Sequence, residues 1–436
     1  TFRLANGLTV IFHERPGSMP VVAADLVIKT GGDSNPVDRP GLANFTAAML
    51  DQGTQSRNAL QIADDVAQLG ASLNATSSKD ATIVSVSSLR KNFPAALDLL
   101  ADVTLRPGFP QAEVDRQRTS RLARLVAQRQ DPGTVATIAT VSALYGSQHP
   151  YGFVELGTES GVTSTTRDDM QAFWKKNFVP GNAALVVAGA IGQAELRPLV
   201  EKAFGAWPSG TATAPTLGTP ATTSARLVLI DQPGAPQTSI FVASIGLPRS
   251  TPDFAAVSVM NSVLGGLFSS RVNLNLREKN GYTYGAFSQF VFRKGAGPFW
   301  ISAPVRTDVT APAVTEIFKE IGRMTSAPMT PEELAMAKDS IVRALPSDFE
   351  TSPGTAGSLA NLYIYDLGLD YYTKLPAEIA AVTADSALAA AKKHLVSDRM
   401  IVVAVGDRAK IEPALKKLNL GAVEARRADG SVVAGK

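Results

Sequence analysis

The chain of 436 residues contains no cysteine and only three histidines. The first absence excludes disulfides, thiolate nucleophiles and cysteine-ligated metal. His13, His149 and His394 share no metal-ligand spacing, and all three read as ordinary scaffold or surface imidazoles. No run of about 18 apolar residues occurs, so no segment is expected to span a membrane. Charge of one sign is scarce too. The formal net charge is only +3, and no Lys/Arg-dense run supports nucleic-acid binding. No nucleophile–base pattern argues for a self-sufficient enzyme using other chemistry.

What is present is a large apolar fraction, 45%, in a chain long enough for roughly two to four domains of ~100–200 residues. Residues 208–224 are rich in Pro, Gly, Ser and Thr and carry no apolar period, which marks a linker. The expected organisation is therefore a first half over 1–207, the linker, a second half over 225–425, and a flexible tail over 426–436. The chain opens at Thr1 without Met. Removal of an upstream segment is expected on that ground, and a bacterial periplasmic location with it. The cytoplasm is the alternative.

The two halves resemble each other. Residues 166–189 and 383–406 align without a gap at an offset of 217. Each stretch reads as an N-capped helix, a short turn and a buried strand ending in Gly189 or Gly406. Thr166 with Asp169 forms a capping-box start, and Lys175–Lys176 and Lys392–Lys393 sit where cations favour the helix dipole. Strand-then-helix pairs also match at the half starts, Val21 onward and Thr238 onward. Several units in the same order argue for duplication, with chance likeness of apolar strands as the alternative. The fold class expected is α+β: two duplicated halves, each a largely antiparallel sheet with helices packed on one side.

The segment Gly41 to Thr54 carries the most specific pattern. With Gly41, Leu42, Phe45, Met49, Gly53 and Thr54 it resembles the frame of the M16 (pitrilysin-type) metallopeptidases, whose zinc helix reads His-x-x-Glu-His. Here the first His position is Asn44, the Glu position is Ala47 and the second His position is Ala48. In the family a third ligand, a Glu, lies about 76 residues further on; that count lands on Arg124. Four ligand or base positions thus fail together, and no metal is expected in this chain. Other pieces keep the family order: Asn6-Gly7-Leu8, Gly70 to Ala75, His149-Pro150-Tyr151-Gly152 and Phe178 to Asn182.

The second half keeps a different motif. Ser270 to Tyr284, including Arg271, Arg277, Glu278 and Gly281, is similar to the family segment that presents an Arg and a Tyr seven residues apart to bound substrate. The resemblance implies that Arg277 and Tyr284 are this pair. The bland alternatives are a surface ion pair of Arg277 with Glu278, and core packing for Tyr284. Gly265-Gly266 reads as a helix C-cap or as a short copy of a substrate-touching glycine loop. What the resemblance implies overall is a non-catalytic, zinc-free subunit of a heterodimeric zinc endopeptidase, inactive alone. A homologous zinc-binding partner would supply Zn2+, and unfolded peptides would be the substrate. A zinc-free structural or peptide-binding scaffold with no role in catalysis is the alternative.

Overall fold

A computed structural model describes residues 1–16 and 19–433 of the chain. Two six-stranded sheets form. The first uses β1 (Phe2–Arg3), β2 (Thr9–Glu14), β3 (Val21–Ile28), β4 (Ser72–Ser77), β5 (Thr82–Leu89) and β6 (Ala183–Gly189). The second uses β7 (Arg226–Asp231), β8 (Gln237–Ile245), β9 (Phe287–Phe290), β10 (Pro298–Arg306), β11 (Ile401–Gly406) and β12 (Ala422–Arg426). Their orders are β1-β2-β6-β3-β5-β4 and β12-β7-β11-β8-β10-β9. Five strands therefore recur in one spatial sequence, β2-β6-β3-β5-β4 matching β7-β11-β8-β10-β9, as duplication requires. Pairing is antiparallel except for β2 with β6, β11 with β7, and β12 with β7.

The repeated helix–turn–strand units superpose in register. The helix Arg167–Asn177 is followed by β6, and Ala384–His394 by β11. Both open on a reciprocal cap, Thr166 with Asp169 and Thr383 with Ser386. Both strands end on a glycine for a steric reason. A Cβ on Gly189, whose φ is +144°, would stand 2.3 Å from the Val21 carbonyl oxygen. On Gly406 it would stand 2.7 Å from Thr238 Oγ1.

Helices pack on one face of each sheet, and a single further helix covers the other. In the first sheet Ala356, Ala360 and Ile364 of the Ser352–Ile364 helix lie against Ile11, Ala23, Val27, Val186 and Ala188. In the second, Val135, Ala136 and Ala139 of the Pro132–Tyr145 helix lie against Val228, Ile230, Phe241 and Val403. The covering is why β6 and β11 are buried at every position: strands dry on both faces read as continuous apolar runs. Small Ala side chains let these helices approach closely.

The compact units are consequently discontinuous. One comprises Thr1–Leu125, Glu155–Thr216 and Leu345–Leu369; the other comprises Val126–Val154, Leu217–Ala344 and Asp370–Lys436. This differs from two contiguous segments, 1–207 and 225–425, because each sheet takes its second covering helix from the other half of the sequence. Residues 208–225 carry no helix or strand. The expected loose tail from 426 is corrected through Val433. Arg427 N–H donates to Ser431 O at 2.9 Å and Val433 N–H to Ala425 O at 2.8 Å, folding the segment back on β12. Residues 434–436 lie outside the described residues.

One buried charge braces the first unit. Asp102, on the Phe93–Leu105 helix, has a side chain 1% exposed. It accepts from Arg57 Nη1 at 2.6 Å, Arg106 Nε at 2.8 Å and Thr54 Oγ1 at 2.9 Å. Burial alone would raise its pKa, but the Arg106, Thr54 and Arg57 hydrogen bonds together outweigh that and hold it below the ordinary carboxylate range. A depressed folded-state pKa contributes stability that is present above the unfolded pKa and is lost as pH falls through the folded value. Asp102→Ala should cost about 3 kcal/mol in urea unfolding at pH 7. The difference from wild type should shrink as pH drops below about 4; a difference that stays constant with pH would contradict the ionised-Asp102 account.

Candidate functional site

The segment from Phe254 to Phe290 is built around side chains that hold main chain. The helix Phe254–Asn261 continues as a wider i→i+5 turn over Ser262–Gly266, and a second such turn spans Leu274–Lys279. Turns of this kind are uncommon and often lie at functional sites. Gly265 is explained by contact rather than by capping. A Cβ there would meet Ser288 Oγ at 2.5 Å and Ser288 N at 2.6 Å, so the helix touches β9 through this glycine.

Four polar residues fix the second turn. Arg271 donates to Glu333 through Nε at 2.7 Å and Nη2 at 2.6 Å, a forked pair. Glu333 also caps Thr330, whose N–H donates to it at 2.9 Å. The Arg271 bond, ahead of the burial that opposes it, lowers the Glu333 pKa. Asn275 Nδ2 donates to Glu316 and Glu320 at 2.8 and 2.6 Å. Asn273, fully buried, donates to Phe268 O at 2.6 Å and accepts from Ala286 N–H at 3.0 Å. Asn273 thus ties both ends of the stretch that contains Arg277 and Tyr284.

Those two residues stand on the outer side of the braced segment. Arg277 lies in the Leu274–Lys279 turn with its guanidinium carbon 4.5 Å from the Phe268 ring centroid and Nε 3.2 Å from Glu278 Oε1. The surface ion pair expected as one alternative is therefore formed. Tyr284 is not a core residue: it is 88% exposed. The two line one open depression of about 400 Å3, together with Gln237, Thr283 and Arg306. Arg306 is anchored by Asp308 at 3.2 Å and donates to Gly281 O at 3.2 Å. The lining thus sets the Arg277, Arg306 and Tyr284 donors beside the Glu278 carboxylate, and the donors suit carbonyl oxygens.

The first-half positions divide. Asn44, Ala47 and Ala48 fall on and just after the Leu42–Ala47 helix. Asn44 Nδ2 donates to Ser77 O at 3.2 Å, joining this helix to β4. Arg124 does not join them. It is exposed on the Gln111–Gln128 helix. The residue that meets Asn44 is Arg121, three positions earlier, whose Nη2 lies 2.8 Å from Asn44 Oδ1. Val114, Arg118, Arg121 and Leu125 fall on one helical stripe, the face turned to the core, and Arg124 is rotated off it.

Comparison with known proteins decides the lineage. A model described as "Insulinase (Peptidase family M16)" matches residues 10–150, and one described as "Peptidase M16 inactive domain" matches residues 164–341. The chain belongs to the M16 peptidase family. A crystal structure of an M16 inactive-domain protein from Pseudomonas fluorescens is 29% identical. It covers 93% of this chain and 97% of its own, with a TM-score of 0.87. An uncharacterised zinc protease of Mycobacterium leprae is 26% identical over 346 residues, 78% of this chain and 76% of that protein. The mitochondrial-processing peptidase subunit beta of Saccharomyces cerevisiae is 25% identical over 362 residues, 79% of this chain and 77% of that protein.

Membership of the M16 family implies zinc, and the residues present do not fit it. An amide, two methyl groups and a guanidinium offer no anionic or imidazole ligand. Among the described residues no group of three or more His, Cys, Asp or Glu could hold a metal ion. The histidines serve elsewhere in this M16 chain. His13 is exposed on β2. His149 accepts from Tyr151 N–H at 3.0 Å, and burial lowers its pKa. His394 pairs with Asp253 at 2.7 Å. The sequence reasoning missed Asn273 and Arg121. Asn273 stands two residues after Arg271 in the motif, where buried polarity is the only signal.

Asn273→Leu keeps the γ-branched shape but leaves Phe268 O and Ala286 N–H unsatisfied, at about 1–3 kcal/mol. It should lower the melting temperature and speed proteolysis between 267 and 286. Unaltered cleavage there would show that Asn273 does not hold the segment.

Proposed function

We propose that this chain is the zinc-free subunit of a two-chain M16 endopeptidase, and that Arg277 and Tyr284 act in trans at the partner's metal site. The observation that carries the reading is the placement of an 88% exposed tyrosine beside Arg277 in one open depression. A tyrosine usually buries its ring. One held out in water by a braced segment is suited to a surface that arrives later. The side chains at Asn44, Ala47, Ala48 and Arg124, none of them an anion or an imidazole, support the zinc-free half of the reading. A relative named as a subunit of a processing peptidase supports the two-chain half.

The homologous partner's Zn2+ would supply an activated water. The residues of this chain do the rest of the work assigned to them here. Tyr284 Oη–H donates to the substrate carbonyl oxygen as negative charge builds on it, and the Arg277 fork holds the neighbouring peptide oxygen. Loss of one such pre-aimed donor typically costs about 2.7–4 kcal/mol of barrier. The substrate class is an unfolded peptide, which presents main-chain oxygens without side-chain selection. We place the pair in the bacterial periplasm, where a chain without thiols meets no redox constraint; cell fractionation tests this against the cytoplasm.

The decisive assay mixes this chain with a similar-length relative from the same host that carries an intact His-x-x-Glu-His. Peptide cleavage should be absent with this chain alone and appear on mixing. Arg277→Ala and Tyr284→Phe should each lower kcat/KM at least ten-fold while the complex still elutes as a heterodimer. A complex that forms but tolerates both substitutions would instead identify a scaffold.

A further inference from the structure

The first unit contains a buried cation that the endopeptidase reading does not use. Arg121 is 2% exposed. Its Nη2 donates to the main-chain oxygen and to Oδ1 of Asn44, each at 2.8 Å. Its guanidinium carbon lies 4.6 Å from the centroid of the Phe45 ring. Nε and Nη1 are buried and have no hydrogen-bond partner among the described residues. Among the described residues no carboxylate pairs with it. A guanidinium in such a place is costly, since burial strips its water and no anion replaces it.

Two neutral oxygens and one aromatic face are what this charge has. All belong to the Leu42–Ala47 helix, and Arg121 reaches them from the Gln111–Gln128 helix. The side chain therefore links the same two helices that, in the resemblance, a metal would link. It does so with a charge that cannot dissociate. We propose that Arg121 is a built-in cation that stands where a metal would stand and bars divalent ions from the first unit.

The proposal does not depend on a partner chain or on Arg277 and Tyr284. Burial and the Arg124 cation nearby pull the Arg121 pKa down to about 10, so the group stays protonated at neutral pH. A divalent ion approaching Asn44 would meet that charge at short range in a medium that screens it poorly. It follows that restoring ligands on the first helix alone does not restore metal binding. Arg121 must leave as well.

The test restores the helix with Asn44→His, Ala47→Glu and Ala48→His and compares three full-length chains. One keeps Arg121, one adds Arg121→Glu, and one adds Arg124→Glu instead. Each is incubated with ZnCl2, dialysed, and analysed for zinc by mass spectrometry. The expected result is about one zinc per chain with Arg121→Glu, and at least ten-fold less in the other two. Equal zinc with Arg121 in place would overturn the proposal, as would uptake on Arg124→Glu but not on Arg121→Glu.

Should circular dichroism show the Arg121→Glu chain unfolded, a milder pair decides. Asn44→His with Ala48→His places two imidazoles on one helical face, with or without Arg121→Gln. A rise in melting temperature on adding NiCl2 should occur only when Arg121 is replaced. The same rise in both chains would overturn the proposal.

Discussion

Asn273 makes two hydrogen bonds, to Phe268 O and from Ala286 N–H, and through them one buried side chain closes a stretch of eighteen residues. Around that closure the Arg271–Glu333 fork and the Asn275 bonds to Glu316 and Glu320 pin the intervening turn to two neighbouring helices. What these contacts exclude is as informative as what they include. Arg277 and Tyr284 make none of them. The bracing holds the main chain around the depression that Arg277 and Tyr284 line; under the proposed function, fixed surroundings of this kind are what make a donor useful to a transition state.

The same economy recurs in the first unit, with the opposite result. There the helix that would carry ligands is tied by Asn44 to β4 and by Arg121 to the Gln111–Gln128 helix. A metal site needs anionic or imidazole donors facing a hole. Here an amide and a guanidinium face each other. Duplication has thus left two units of one architecture whose polar residues do different work: structural closure in the first, exposed donors in the second. Fold does not assign function to either; the side chains at the ends of the same elements do.

Much of this was legible in sequence because it depends on local rules. The Thr166 and Thr383 caps follow from hydroxyl chemistry at helix starts. Continuous apolar β6 and β11 follow from burial on both faces, and the 217-residue offset predicted two sheets of like order. Glycines were harder. Gly265 reads as a cap in sequence, whereas its need for a bare Cα comes from Ser288, twenty-three residues away. The contact of Arg121 with Asn44 was harder as well, since it depends on a rotation of the Gln111–Gln128 helix that puts Val114, Arg121 and Leu125 on its buried face.

The sequence by itself determined the duplicated α+β plan and the M16 frame, and it placed Asn44, Ala47 and Ala48, none of them a zinc-ligating residue type, in that frame. Each rests on residue type and on spacings within one element or one repeat. The tertiary structure alone decided three things: which guanidinium meets Asn44, that Tyr284 stands in solvent beside Arg277, and that each sheet takes a covering helix from the other half. These depend on helix rotation and on contacts between segments far apart in the chain. No local pattern records either, because packing energy is set by the partner surface as much as by the residue itself.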